Sequence, residues 1–163
     1  MDFFPGLRAM ENFHPVFVHA PVTLLPLALV FQALAVWRGR EDWQKLALWL
    51  LWLGALGALA AAGTGLLAEE EVVVPDAGIE TIELHEELML VTAGLAVVLA
   101  AGTFWLRKRL NRALQVGLLA GLLVLNGVLV VGADLGARLV YEFGVSVKKE
   151  APAPTPAGQG ERD

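Results

Sequence analysis

At 163 residues, with 56% in the hydrophobic set and only 18% charged, the chain is one domain long and more apolar than a soluble protein, which is nearer half apolar and about a quarter charged. It has no cysteine, which excludes disulfides, thiolate metal sites, iron–sulfur clusters, covalently attached haem and cysteine nucleophiles. A net charge of −5 excludes nucleic acid as a partner, because a polyanion needs a basic face.

Mean hydropathy is +0.61, and the apolar residues are gathered in runs. A helix crossing a bilayer needs about 20 apolar residues, at about 1.5 Å of rise per residue through a core about 30 Å thick. Residues 16–37, 46–67, 88–106 and 115–133 meet that length. None of the four contains Lys, Arg, Asp or Glu, and only the first holds a histidine, His19. Their Leu, Ala and Gly content lacks the alternation of barrel strands. The segment before the first run carries one basic residue, Arg8, against Asp2 and Glu11. That charge pattern and the length of the run argue for a retained span rather than a signal peptide.

Before the first span lies Asn12-Phe13-His14-Pro15-Val16-Phe17-Val18-His19-Ala20-Pro21. Pro15 suits a first helical turn, where its missing N–H is no loss. This puts His14 at the cap and His19 about one turn inside, with Thr23 and Pro26 below it. Loop 38–45 holds Arg38, Arg40 and Lys45, and loop 107–114 holds Arg107, Lys108, Arg109 and Arg112. Basic residues in short loops mark the cytoplasmic side. Both termini and the acidic loop 68–87, with Glu69–Glu71, are therefore expected outside, in a multi-pass protein of a prokaryotic cytoplasmic membrane. Loops of eight residues make spans 1 and 2, and spans 3 and 4, antiparallel neighbours. The expected fold is all-α: a transmembrane up-down-up-down four-helix bundle over residues 1–147. The tail 148–163, rich in Pro and Ala, is expected to be disordered. No repeat of 20–50 residues is evident.

The second span carries Gly54, Ala58 and Ala62, and also Gly57, Ala61 and Gly65; the fourth carries Gly117 and Gly121, then Gly132 and Gly136. Small residues four apart permit close helix approach. They fit tight packing within one bundle or a homodimer seam.

His85 precedes the third span in Glu83-Leu84-His85-Glu86-Glu87, and a helix capped at Thr81 would set it one turn inside, above Met89 and Thr92. His14, His19 and His85 are thus expected at one depth on the outer side. Neutral imidazole binds haem iron and divalent metals, and two histidines from two helices are what bis-histidine haem b requires. Three readings stay open. One is haem b between His19 and His85, with His14 beside them, in an electron-transfer protein or subunit of a membrane redox complex that meets an extracytoplasmic carrier. Another is a non-haem metal site of His14, His19 and His85 with Glu83 or Glu86. The third is a structural or assembly subunit without a cofactor. In the fourth helix Asp134 and Arg138, four apart, can pair; in the haem reading Asp134 orients a histidine and Arg138 meets a propionate. Tyr141 continues that face, and Gly144 ends the helix. Asn126, near mid-span, is expected to seek a partner on another helix, Gln32 being at hand. No charge lies mid-membrane, against a proton pump or ion-coupled transporter. Serine occurs once, at Ser146, in no triad, and no nucleotide fingerprint is present, so the chain does not read as an independent enzyme.

His14-Pro15-Val16-Phe17-Val18-His19-Ala20-Pro21, the lone His85, and the stretch from Gly132 to Gly144 ending Gly-Ala-Arg-Leu-Val-Tyr-Glu-Phe-Gly together resemble the bacterial integral membrane family known as domain of unknown function 2231, over residues 12–147. The resemblance implies a four-helix membrane protein with His14, His19 and His85 as its motif positions, and no defined activity. This chain departs from the family pattern at Ala20, where an aromatic residue is usual, and at Gly63-Thr64-Gly65, where Asp often stands.

Overall fold

The computed structural model describes residues 3–4, 10, 12–69 and 72–147. The tail 148–163, expected to be disordered, lies outside the described residues, as do Glu70 and Glu71. The described part is all-helical: α1 (His14–Phe17), α2 (His19–Arg38), α3 (Glu41–Glu69), a 3-10 turn (Asp76–Gly78), α4 (Ile79–Leu106) and α5 (Arg112–Tyr141). With its flanking turn where there is one, each long helix makes an apolar stretch of 25–31 residues, long enough to cross a membrane.

Local chemistry sets the helix ends. Pro15 opens α1. Pro21 has no N–H for the carbonyl of Phe17, four residues back, and this one missing bond divides α1 from α2 at Val18, where the backbone stays helical at φ −63° and ψ −24°. Gly39, at φ +66°, closes α2 by donating to the Ala35 carbonyl. The Asn111 side chain caps α5, accepting from Leu114 N–H at 3.0 Å. Gly144, at φ +67°, lies just beyond α5, and the Val145 N–H turns back to the Leu139 carbonyl at 3.0 Å. The third long helix starts earlier than expected. It follows the 3-10 turn, with Gly78 rather than Thr81 at its N-cap, and Thr81 is buried inside it.

Helices α2 and α3 pack together, as do α4 and α5, α3 and α4, and α2 and α5, leaving α2 diagonal to α4 and α3 diagonal to α5. The core holds Leu25, Ala28, Leu51, Ala96, Leu122 and Leu125. Small residues mediate the close contacts: a Cβ at Gly54 would strike Leu25, one at Gly57 would strike Ala20, and one at Gly121 would strike Leu99. These rows thus face neighbouring helices of the same chain. Gly117 is the exception, with open space beside it.

The second helical pair repeats the first with a shift of 71 residues. Every buried residue of α5 (Leu118, Leu122, Leu125, Asn126, Leu129, Gly132 and Leu139) matches a buried residue of α3 (Ala47, Leu51, Gly54, Ala55, Ala58, Ala61 and Ala68). In α2 and α4, Pro21 matches Thr92, Leu25 matches Ala96 and Gln32 matches Thr103, all buried. Identities at this shift are few but include His14 with His85, Gln44 with Gln115 and Gly65 with Gly136. The period exceeds the 20–50 residues of common repeats, and it is written in burial more than in residue type.

Buried amides pair near the short loops. Gln44 Nε2 donates to Gln32 Oε1 at 2.8 Å, and Gln32 Nε2 donates to the Gln115 carbonyl at 2.9 Å. Asn126, expected to meet Gln32, instead donates to the Leu122 carbonyl of its own helix at 2.8 Å and to the Leu25 carbonyl at 3.4 Å. Depth decides this: Asn126 lies level with Leu25, about two turns from Gln32, which sits nearer the loops and has Gln44 within reach.

Candidate histidine site

The end of the molecule opposite the short loops carries two matched histidines. His14, on α1, is half-buried, and its Nδ1 lies 3.0 Å from the carbonyl oxygen of Ala61 on α3. His85, in α4, is half-buried too, with Nδ1 2.7 Å from the carbonyl oxygen of Gly132 on α5. Each histidine reaches a carbonyl 47 residues further along the chain. A carbonyl only accepts, so each Nδ1 carries the proton and donates it. In the neutral ring this leaves Nε2 as a lone pair.

Glycine makes both contacts accessible. A helical carbonyl normally accepts from the N–H four residues on, and the side chain at that residue stands over it. Those residues are Gly65 for Ala61 and Gly136 for Gly132. A Cβ at Gly65 would lie 3.1 Å from Cε1 of His14, and one at Gly136 would lie 2.8 Å from Cε1 of His85. Each imidazole therefore sets its Cε1 edge against a glycine and reaches past it to the carbonyl. His14 has two further supports: its Nδ1 is 3.4 Å from Thr64 Oγ1, and its backbone N–H donates to Asn12 Oδ1 at 3.2 Å. The two rings lie within Coulombic reach of each other, although α2 and α4 are diagonal.

The other residues singled out from the sequence fall elsewhere. His19 is exposed. Five residues after His14 it lies about 140° further round the helical axis, on another face, and its match at the 71-residue shift is Leu90. Asp134 is exposed, and the contact it was expected to make to a histidine is made by backbone carbonyls. Arg138 pairs with Glu142 rather than with Asp134, its Nη2 donating to Oε1 at 3.0 Å. That hydrogen bond holds the Glu142 carboxyl below its usual range. Glu83 is exposed, while Glu86 faces Glu69 at the end of α3. Among the described residues no group of three or more His, Cys, Asp and Glu side chains is placed to hold one metal ion. The carbonyl partners Ala61 and Gly132 were missed because backbone acceptors leave no mark in residue type; the usable signal was the glycine four residues after each.

No curated protein and no solved structure matches the chain. A family model does match, over residues 10–149, and its description is that of a predicted membrane protein. The match takes in both histidines, both glycine seats and all four long helices, and the chain belongs to that family, DUF2231.

Proposed function

We propose that the chain is an up-down-up-down membrane bundle that holds one haem b between Nε2 of His14 and Nε2 of His85. In this reading it carries electrons as a small redox protein or as a subunit of a membrane redox complex. The observation that carries the reading is the pair of imidazoles on diagonal helices, each with Nδ1–H tied to a carbonyl. A hydrogen bond at Nδ1 fixes the tautomer and ring plane and strengthens Nε2 as a donor. Haem iron brings four ligands of its own and takes two axial imidazoles, the number this pair offers; a bare metal ion asks more of the protein. Bound there, haem would supply a one-electron carrier. The protein's part would be to aim two donors, each held through Nδ1–H by a carbonyl of α3 or α5.

The orientation belongs to the same proposal. In this reading the two short loops face the cytoplasm and the histidine end with both termini lies outside, which the seven basic residues of those loops support. The haem would then meet an extracytoplasmic carrier. A reporter active only in the cytoplasm should work when fused after Gly39 or Asn111 and fail after Gly78 or Gly158; the opposite result reverses the orientation.

The test of the cofactor is expression with added haem precursor, then purification and a haem-to-protein ratio. One haem per chain with a low-spin spectrum is expected. Protein that emerges without haem from such cells would exclude the reading. A stoichiometric metal with no Soret band would replace it with a non-haem site.

A further inference from the structure

The 71-residue shift makes each half of the molecule a control for the other, and at the short-loop end the halves differ. In the first half the corner between α2 and α3 is filled by rings. Phe31 and Trp43 stack with centroids 5.2 Å apart and planes 17° from parallel. The matching positions in the second half are Gly102 and Leu114, and Leu46 is matched by Gly117. There the corner is a cleft of about 220 Å³ between α4 and α5, lined by Gly102, Thr103, Leu106, Leu110, Leu114 and Gly117 among others. A Cβ added at Gly102 or Gly117 would meet nothing within 4 Å.

The charges beside the two corners differ as well. In the first loop Arg40 pairs with Asp42 at 3.1 Å and Lys45 with Glu41 at 3.8 Å. In the second, Arg107, Lys108, Arg109 and Arg112 are exposed, and residues 104–118 include no Asp or Glu. Arg107 lies over the Phe104 ring at 4.1 Å and donates to the Phe104 carbonyl at 3.0 Å, which holds its guanidinium at the lip of the bilayer-spanning part.

We infer that this corner binds an anionic phospholipid, with one acyl chain in the cleft and its phosphate among Arg107, Lys108, Arg109 and Arg112. The cleft is apolar and open where its counterpart is plugged by side chains. The four cations stand where a headgroup lies when a chain enters between the helices, and basic pockets between membrane helices select anionic headgroups. Thr103 offers no competing polar anchor, since its hydroxyl already accepts from Trp52 Nε1 at 3.1 Å and donates to the Ala100 carbonyl at 2.9 Å. The inference is independent of any cofactor at the histidine end.

Native mass spectrometry of the purified protein, with phosphatidylglycerol and phosphatidylcholine added in equal amounts, tests it. The wild type should retain phosphatidylglycerol in preference. Arg107→Gln/Arg109→Gln/Arg112→Gln should weaken that retention about tenfold or more. Gly102→Phe/Leu114→Trp, which rebuilds the ring pair of the other half, should expel the lipid with every charge in place. Gly117→Leu should do so through a single smaller change if the double variant does not fold. Arg38→Gln/Arg40→Gln should leave retention unaltered. Equal retention of the two lipids by the wild type, undiminished retention in the cleft-filling variants, or a protein dimer that forms in place of the lipid adduct would overturn the inference.

Discussion

The two ends of this molecule treat its internal repeat in opposite ways. At the histidine end the halves agree in detail: a half-buried imidazole, a carbonyl 47 residues on, and a glycine beneath the ring. At the short-loop end they part, with a ring stack and two ion pairs in one half and an open cleft beside four cations, unpaired among the described residues, in the other. Shared packing accounts for neither fact alone. Every buried position of α5 matches a buried one of α3 while the side chains change freely, as from Ala58 to Leu129. Agreement in polar detail where small apolar differences are tolerated points to two residues acting together on one thing. Divergence on a common frame points to separate tasks.

The glycine seats give the largest expected effect on stability. Gly136→Leu must push the His85 ring off its carbonyl or spread α4 from α5, and overpacking of this kind costs about 1–3 kcal/mol. Gly65→Leu should cost less, because its Cβ has 3.1 Å to the ring rather than 2.8 Å and that ring stands in the first turn of its helical stretch. Thermal unfolding in detergent ranks the two. Equal and negligible losses would mean that the rings are not held by these contacts.

A smaller effect is expected at the buried amides. Gln32 is fully buried and joins Gln44 to the Gln115 carbonyl, while Gln44 Oε1 and Asn126 Oδ1 have no partner among the described residues. Gln32→Leu removes both bonds and should cost about 1–2 kcal/mol, the scale of interhelical hydrogen bonds in apolar surroundings. It should leave the histidine end unchanged, since the site lies at the opposite end of the helices. A change in cofactor content on this substitution would show the two ends to be coupled. Smallest of all, Glu142→Gln breaks an exposed pair with Arg138 and should leave the melting temperature within error. Loss of haem on that substitution would return Arg138 to the site.

The spans, their number and the packing role of the glycine rows were legible in the sequence, because hydropathy over some 20 residues and small residues at four-residue spacing have direct physical meaning. That His14 and His85 gather at the end away from the short loops was legible too, from their places beside the first and third spans. The partition of the histidines was not. His14, His19 and His85 share a depth by residue count, but five residues along a helix turn a side chain by about 140°, and packing decides that His14 is the one to face α3. The repeat was hidden for another reason. In an apolar span burial is a matter of helix face, and Ala, Gly and Leu serve it alike, so the two halves share a pattern with few shared letters.

The central claim is that His14 and His85 are equivalent ligands and that His19 is not one. Reduced-minus-oxidised spectra of the His14→Ala, His85→Ala and His19→Ala variants, each produced with added haem precursor beside the wild type, test it most directly. The account predicts that the first two lose the low-spin bands to a similar degree while the third keeps the wild-type spectrum. Bands that vanish in His19→Ala, or survive in either His14→Ala or His85→Ala, would contradict it.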